Sequence, residues 1–151
     1  MTSTSERPAE QPTNERSAVR AIVAAMRPRQ WAKNVLVFAA PLAAGELLNA
    51  DVFLPSVGAF VAFCLISSAT YLVNDVRDVK SDRAHPVKRS RPIAAGEVSA
   101  TTALIVASVL AVLALALAFT ISTALGGVLV AYAVFTCAYS LFLKNEPVIE
   151  L

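Results

Sequence analysis

The chain has few of the residues from which soluble enzymes often build their catalytic sites. It contains one histidine, two cysteines and five glycines among 151 residues. No Ser-His-Asp set is visible, because His85 is the only histidine, and a lone histidine in a loop is more often solvated than catalytic. Cys64 and Cys137 both lie in apolar runs without metal-ligand spacing, which predicts packing residues and no disulfide framework. A glycine-rich phosphate loop is also missing, so the chemistry must come from other side chains.

Charge is also scarce, and it is confined to blocks. Charged residues make up 16% of the chain and hydrophobic residues 56%, with a mean hydropathy of +0.61. A soluble domain of this size is usually less apolar, and long uncharged runs between blocks of charge are typical of a polytopic membrane protein. We therefore expect an all-α, polytopic membrane helix bundle.

The positions of the basic residues predict the topology. Every Lys and Arg lies before the first apolar run, between the second and third runs, or after the fourth. By the positive-inside rule, this alternation predicts four spans, with both termini and the second loop in the cytoplasm. The composition of residues 1–17 predicts a disordered cytoplasmic tail. The membrane domain is expected over 18–151, with spans at about 32–50, 52–75, 99–121 and 123–143.

An acidic patch follows the second apolar run. The sequence Asn-Asp-Val-Arg-Asp-Val-Lys-Ser-Asp occupies 74–82. If the helix continues, the side chains of Asn74, Asp78, Asp82 and Asp75 point at about 0°, 40°, 80° and 100°, so they share one face. Several hard oxygen ligands beside a bilayer suit Mg²⁺ held against the phosphates of a substrate. A solvated acidic helix end, balanced by its basic neighbours, is the plainer alternative and stays open.

A basic loop lies close to this acidic face in sequence. Lys88, Arg89 and Arg91 fall within four residues. A basic loop beside an acidic metal site would make a cradle for pyrophosphate, because the cations neutralise the phosphate oxygens that the metal leaves. Basic residues next to a membrane also set topology and touch anionic lipid, which is the alternative for each of them.

Three further polar residues lie at the predicted cytoplasmic ends of spans. Lys33 and Asn34 are at the mouth of the first span, and Lys144 follows the fourth. They could reach a phosphate, or the lysine side chains could simply extend to the membrane surface.

The same stretches resemble a known family. Residues 74–82 resemble the first aspartate-rich motif, N-D/Q-x-x-D-x-x-x-D, of the UbiA-type prenyltransferase superfamily. The sequence Arg-Pro-Ile-Ala-Ala-Gly at 91–96 matches the R-P-L/I-x-x-G motif of that superfamily. Three segments are similar to the members that transfer phosphoribose to decaprenyl phosphate, namely 27–38, 82–96 and 139–144.

The resemblance implies a nine-helix, multi-pass enzyme of the plasma membrane with its active-site loop in the cytoplasm. Such an enzyme transfers 5-phosphoribose from phosphoribosyl pyrophosphate to a polyprenyl phosphate, here decaprenyl phosphate. It releases pyrophosphate, uses Mg²⁺, and its product feeds arabinan synthesis in the cell wall. The implied roles are metal binding by Asn74, Asp78 and Asp82, catalysis by Asp75, Asp78 and Asp82, and substrate binding by Lys33, Asn34, Lys88, Arg89, Arg91 and Lys144.

One departure from the family pattern limits what is expected of this chain. Family members carry a second aspartate-rich motif in a later cytoplasmic loop, and these 151 residues contain none. We therefore expect an N-terminal part with four of nine helices, inactive by itself. A UbiA-type polyprenyltransferase acting on an aromatic acceptor and a non-enzymatic four-helix membrane protein are the alternatives. Contact with the lipid bilayer is expected, nucleic acid binding is not, and a homo-oligomer is left open.

Overall fold

The computed structural model describes residues 15–140, and the regular elements in that range are all helical. The α-helices are α1 (Glu15–Ala25), α2 (Ala39–Ala43), α3 (Ala50–Arg77), α4 (Val79–Ala84), α5 (Ala100–Ile121) and α6 (Thr123–Ala138), and 3₁₀ segments run over Pro28–Phe38 and Lys88–Ser90. No strand occurs between residues 15 and 140, which confirms the all-α prediction for that range. Helix α1 begins within the predicted tail, whose residues 1–14 lie outside the described part of the chain.

Two of the described helices are long and apolar enough to cross a membrane. Helix α3 has 28 residues with a mean hydropathy of 2.0 in its apolar window, and α5 has 22 residues with 2.8. At 1.5 Å per residue they measure about 42 and 33 Å, against a hydrocarbon thickness of about 30 Å. They correspond to the predicted spans at 52–75 and 99–121. Helix α6 is apolar but has only 16 residues, and 141–143 of its predicted span lie outside the described residues.

The first predicted span, 32–50, is not one continuous helix. The chain forms the 3₁₀ segment Pro28–Phe38, then the five residues of α2, and turns at Gly45 with a left-handed φ of 72°. Helix α3 starts separately behind Asn49, whose side-chain oxygen accepts a hydrogen bond from the backbone N–H of Asp51 at 3.1 Å. The glycine turn and the new cap divide an apolar run whose hydropathy alone cannot distinguish one helix from two short elements.

The core lies mainly between α3 and α5 and is built from small side chains. It consists of two buried clusters, of which the first also includes residues of α1 and of the loop before α5. The alanines that α3 and α5 contribute are Ala69, Ala103 and Ala107 in the first cluster, and Ala62, Ala114 and Ala118 in the second. Small side chains let two helix backbones approach closely, as they do in membrane helix pairs.

A single residue, Ser122, joins α5 to α6. Its backbone N–H donates to the carbonyl oxygen of Ala118 at 3.0 Å, and its carbonyl accepts from the N–H of Gly126 at 3.1 Å. Its hydroxyl oxygen accepts from the N–H of Leu125 at 3.1 Å. Ser122 therefore ends α5 and caps α6, so the two helices are joined without a flexible linker.

We expect Gly126→Ala to destabilise the chain relative to Gly127→Ala. A β-carbon at Gly126 would overlap the ring of Phe119 on α5, whereas a β-carbon at Gly127 would enter open space. Both substitutions gain the same helix propensity, so the difference between them isolates the overlap, for which we expect about 1–3 kcal/mol. Thermal unfolding of both variants in detergent micelles measures this difference. Equal melting temperatures would show that the Phe119 ring can rotate away from the new β-carbon without a loss of stability.

Candidate active site at the end of helix α3

The acidic patch lies where α3 passes into α4. Asp78 is the single residue between the two helices. The N–H of Asp78 donates to the carbonyl oxygen of Asn74 at 2.9 Å, and the N–H of Asp82 donates to that of Asp78 at 2.8 Å. The helical hydrogen-bond pattern therefore continues across a local break at Asp78. The premise of the predicted acidic face, a chain that stays helical through 74–82, is confirmed to that extent.

Asp75 is buried between two arginines from distant parts of the sequence. Its side chain is 4% exposed. Nη2 of Arg27 donates to Oδ1 of Asp75 at 2.6 Å, and Nη1 of Arg91 donates to the same oxygen at 3.3 Å. Aspartate is almost never buried without a partner, because desolvating a lone carboxylate is very unfavourable. The two guanidinium groups therefore balance the charge of Asp75 beside the apolar core.

Arg91 also bonds the second buried carboxylate. Its Nη1 donates to Oδ2 of Asp82 at 2.7 Å, and the Asp82 side chain is 3% exposed. One guanidinium nitrogen thus joins Asp75 and Asp82, which lie seven residues apart in the sequence. The acidic face and the basic loop, which are close in sequence, are therefore also in contact in the structure.

The Arg-Pro-Ile-Ala-Ala-Gly turn holds Arg91 in place. Ile93 and Val98 are buried in the first core cluster, which fixes the turn to α1, α3 and α5. Nε of Arg83 donates to the carbonyl oxygen of Ala94 at 3.0 Å. Gly96 has a φ of 83°, in the left-handed region where a side chain is strained. Arg91 therefore approaches the acidic patch from an anchored loop.

Arg27 contacts the acidic patch, although the sequence interpretation did not include it among the candidate site residues. It lies between α1 and the 3₁₀ segment with φ 56° and ψ 61°, a left-handed conformation that costs a non-glycine residue roughly 1–2 kcal/mol. Its guanidinium carbon is 4.9 Å from the centroid of the Tyr71 ring, a cation–π contact. The only sequence signal was its place in the 27–38 segment, since no periodicity links Arg27 to Asp75.

The residues predicted to bind metal have protein partners in this structure. Oδ1 of Asn74 accepts a hydrogen bond from Oγ of Ser140 at 2.5 Å, Asp82 pairs with Arg91, and Asp78 is engaged as well. Within the described residues, no three His, Cys, Asp or Glu side chains are grouped so that they could hold a metal ion. The donor chemistry still suits Mg²⁺, which commonly uses one or two carboxylates together with water and substrate phosphates.

The other predicted substrate contacts are scattered. Lys88 and Arg89 are exposed on the 3₁₀ turn that leads to Arg91, and Lys33 is exposed on the Pro28–Phe38 segment. Nδ2 of Asn34 donates to Sγ of Cys64 at 3.3 Å. Cys64 precedes Asp75 by eleven residues, or about 16 Å along α3, so the structure does not bring Asn34 to the acidic patch. Lys144 lies outside the described residues.

His85 has a structural part in the same loop. Its Nδ1 accepts hydrogen bonds from the backbone N–H groups of Val87 at 3.1 Å and Lys88 at 3.3 Å. The imidazole therefore shapes the start of the basic turn.

We expect Asp75→Asn to lower the thermal stability of the chain. The substitution keeps the size of the side chain but removes the charge that two arginines share, and the expected loss is about 1–3 kcal/mol. Glu97→Gln is the matched control, because Glu97 is an exposed carboxylate in the following loop. Melting temperatures in detergent, measured at low and high salt, test this expectation. A melting temperature for Asp75→Asn equal to that of the control would contradict it.

Comparison with known proteins points to one family. The model of the UbiA prenyltransferase family matches residues 34–150. The chain is similar to proteins named decaprenyl-phosphate phosphoribosyltransferase from Mycobacterium tuberculosis (51% identity over 137 residues), Mycolicibacterium smegmatis (45% over 140) and Corynebacterium glutamicum (46% over 134). These matches cover 88%, 90% and 86% of this chain but 45%, 44% and 40% of the relatives, so the chain spans less than half of their length. The resemblance seen at 74–82 and 91–96 is confirmed, and the chain belongs to the UbiA prenyltransferase family.

Proposed function

We propose that this chain forms the diphosphate-binding part of an integral-membrane phosphoribosyltransferase. The reaction would move 5-phosphoribose from phosphoribosyl pyrophosphate to decaprenyl phosphate, release pyrophosphate, and supply arabinan synthesis in the cell wall. The observation that carries the proposal is the contact of the acidic patch with the basic loop, through Arg91. The names of the three relatives support the choice of donor and acceptor.

The residue types at the site suit this reaction. The phosphate of the acceptor is already anionic and needs no strong general base, and Nδ1 of His85 is engaged by the backbone N–H groups of Val87 and Lys88. What remains is to position two anionic substrates and to neutralise the charge that develops on the leaving pyrophosphate. Arg91 has the right charge and position for that task, and the exposed Lys88 and Arg89 precede it on the same basic loop.

The carboxylates divide between two tasks in this proposal. Asn74, Asp78 and Asp82 would hold Mg²⁺, which when bound neutralises pyrophosphate oxygens. Asp75 has a different surrounding, because both of its arginine partners are within hydrogen-bond distance of one oxygen. We therefore assign Asp75 to the positioning of those arginines.

An apolar groove between α3, α5 and α6 supports a lipid substrate. It has a volume of about 190 Å³, and its α3 side is lined by Thr70 and by Val73, the residue before Asn74. Leu104, Ala107 and Ala133 lie on its other walls. A groove of this lining next to a phosphate site suits the first isoprene units of a polyprenyl phosphate.

The activity can be tested by joining this chain to the unmatched C-terminal part of the Mycobacterium tuberculosis relative. Membranes containing the chimera are incubated with labelled phosphoribosyl pyrophosphate, decaprenyl phosphate and Mg²⁺. We expect lipid-linked phosphoribose, abolished by a chelator, and a loss of roughly 100-fold or more with Asp78→Asn, because the metal loses a charged ligand. Asp51→Asn, at the opposite end of α3, is the matched control and should leave the activity unchanged.

Three results would each contradict a different part of the proposal. A fully active Asp78→Asn chimera would remove Asp78 from the site. Steady, chelator-sensitive product formation by the 151-residue polypeptide alone would contradict the expectation that it is inactive by itself, an expectation based on the missing second aspartate-rich motif. Transfer of a prenyl group to an aromatic acceptor instead would favour the alternative substrate class.

We further propose a plasma-membrane location, with residues 74–97 at the cytoplasmic face. Members of this family are integral membrane proteins, and α3 is long enough to place its two ends on opposite sides. We expect a cysteine introduced at Leu48 to react from outside intact cells with an impermeant thiol reagent, and one at Ser90 to remain unlabelled. Both positions are exposed, and Cys137→Ser removes the exposed native thiol. The reverse labelling pattern would show that the topology is opposite to the one proposed.

A further inference from the structure

Two guanidinium groups meet on one oxygen of Asp75. Arg27 and Arg91 both donate to Oδ1, at 2.6 and 3.3 Å. Arg27 comes from the junction after α1, and Arg91 from the loop before α5, so two separate segments deliver cations to one point. Like charges this close repel each other unless an anion lies between them, and Asp75 is that anion.

Solvent reaches the two arginines of this cluster more than it reaches Asp75. The Asp75 side chain is 4% exposed, while the side chains of Arg27 and Arg91 are each 27% exposed. A guanidinium has five N–H donors, and among the described contacts each arginine uses one nitrogen to bond carboxylates. Donors therefore remain on both groups, and both side chains are partly open to solvent.

Arg27 is held in place in advance. Its backbone has a left-handed φ of 56°, and its guanidinium lies over the Tyr71 ring. The carbonyl oxygen of the preceding residue, Met26, lies 3.2 Å from the Ser68 hydroxyl on α3, which shares its single proton between Met26 and the closer carbonyl oxygen of Cys64 at 2.8 Å. A strained backbone that its surroundings maintain is characteristic of functional sites, where it orients a side chain before the ligand arrives.

We infer that Arg27 and Arg91 form a seat for one phosphate of a diphosphate, and that this seat works without a divalent cation. Two guanidinium forks on one anchor match the geometry of phosphate oxygens. Asp75 is the positioning residue that holds both forks. The choice of a diphosphate rests on the proposed function, whereas the seat itself rests on the two arginines, their exposure and their shared anchor.

The seat can be tested on the purified 151-residue chain in detergent micelles, with inorganic pyrophosphate as the probe and EDTA present. Trp31 is the only tryptophan, and its indole N–H donates to the Ser68 hydroxyl at 3.0 Å, next to the Met26 carbonyl. Its fluorescence therefore reports on the Arg27 junction, and titration calorimetry gives a second, independent reading. We expect saturable binding in EDTA.

The variants separate charge from geometry. Arg27→Gln should weaken pyrophosphate binding at least about tenfold, and Arg27→Lys by several-fold, because lysine keeps the charge but lacks the planar fork. Arg29→Gln loses the same charge from an exposed arginine two residues away and should bind as the unchanged chain does. Helix content and elution volume confirm that each variant is folded.

Asp75→Asn distinguishes most clearly between an effect of net charge and an effect of arginine positioning on pyrophosphate binding. If charge alone mattered, removing a carboxylate should strengthen the binding of an anion. If Asp75 positions the two arginines, its loss should weaken binding, although the site becomes more positive. Tighter binding by Asp75→Asn, or unchanged binding by Arg27→Gln, overturns the seat.

A parallel titration with Mg²⁺ separates the seat from the proposed function. Binding that appears only with Mg²⁺ and is insensitive to Arg27→Gln overturns the seat and leaves the Mg²⁺-dependent transferase standing. Absence of pyrophosphate binding in both media overturns the seat as well. Arginine-dependent binding in EDTA, combined with a chimera that transfers no phosphoribose, supports the seat and refutes the phosphoribosyltransferase.

Discussion

A carboxylate buried at the end of a long apolar helix imposes the main constraint on this structure. Asp75 follows more than twenty residues of α3 that carry no charge after Asp51, and its side chain is almost fully covered. Burial of such a group is tolerated only when opposite charges and hydrogen bonds replace the water it loses. The nearest arginine in sequence, Arg77, donates instead to Ser140 near the end of α6. The requirement is therefore met by Arg27 and Arg91, which fixes the α1 junction and the basic loop against α3.

The packing of small residues complements this polar junction. The first core cluster lies directly beneath it and combines Ala69 and Leu72 of α3 with residues of α1, α5 and the loop that carries Ile93. Because alanine side chains are short, α3 and α5 lie close together, and the loop before α5 starts near the end of α3. The same close approach that stabilises the helix pair thus keeps Arg91 within reach of Asp75 and Asp82.

The sequence predicted the parts of the fold and site that depend on local pattern. The uncharged runs predicted α3 and α5, and the 100° step per residue placed Asp75 and Asp82 on neighbouring positions of one face. Arg91 could be assigned to the patch because it lies only nine residues beyond Asp82. Arg27 could not, since 48 residues separate it from Asp75 and the contact depends on how α1 packs. The contact of Asn34 was unpredictable for a related reason: the 32–50 run was expected to be one span, whereas residues 28–38 form a 3₁₀ segment in which the Asn34 carboxamide bonds Cys64.

The one-residue connection between α5 and α6 couples the positions of the two helices. All three hydrogen-bonding groups of Ser122, its N–H, its carbonyl and its hydroxyl, have partners within the two helices. A connection of one residue has no spare length, so one helix cannot shift along its axis without breaking these bonds or moving the other helix. Helices α5 and α6 therefore form a hairpin that responds to a force on either helix as a single body.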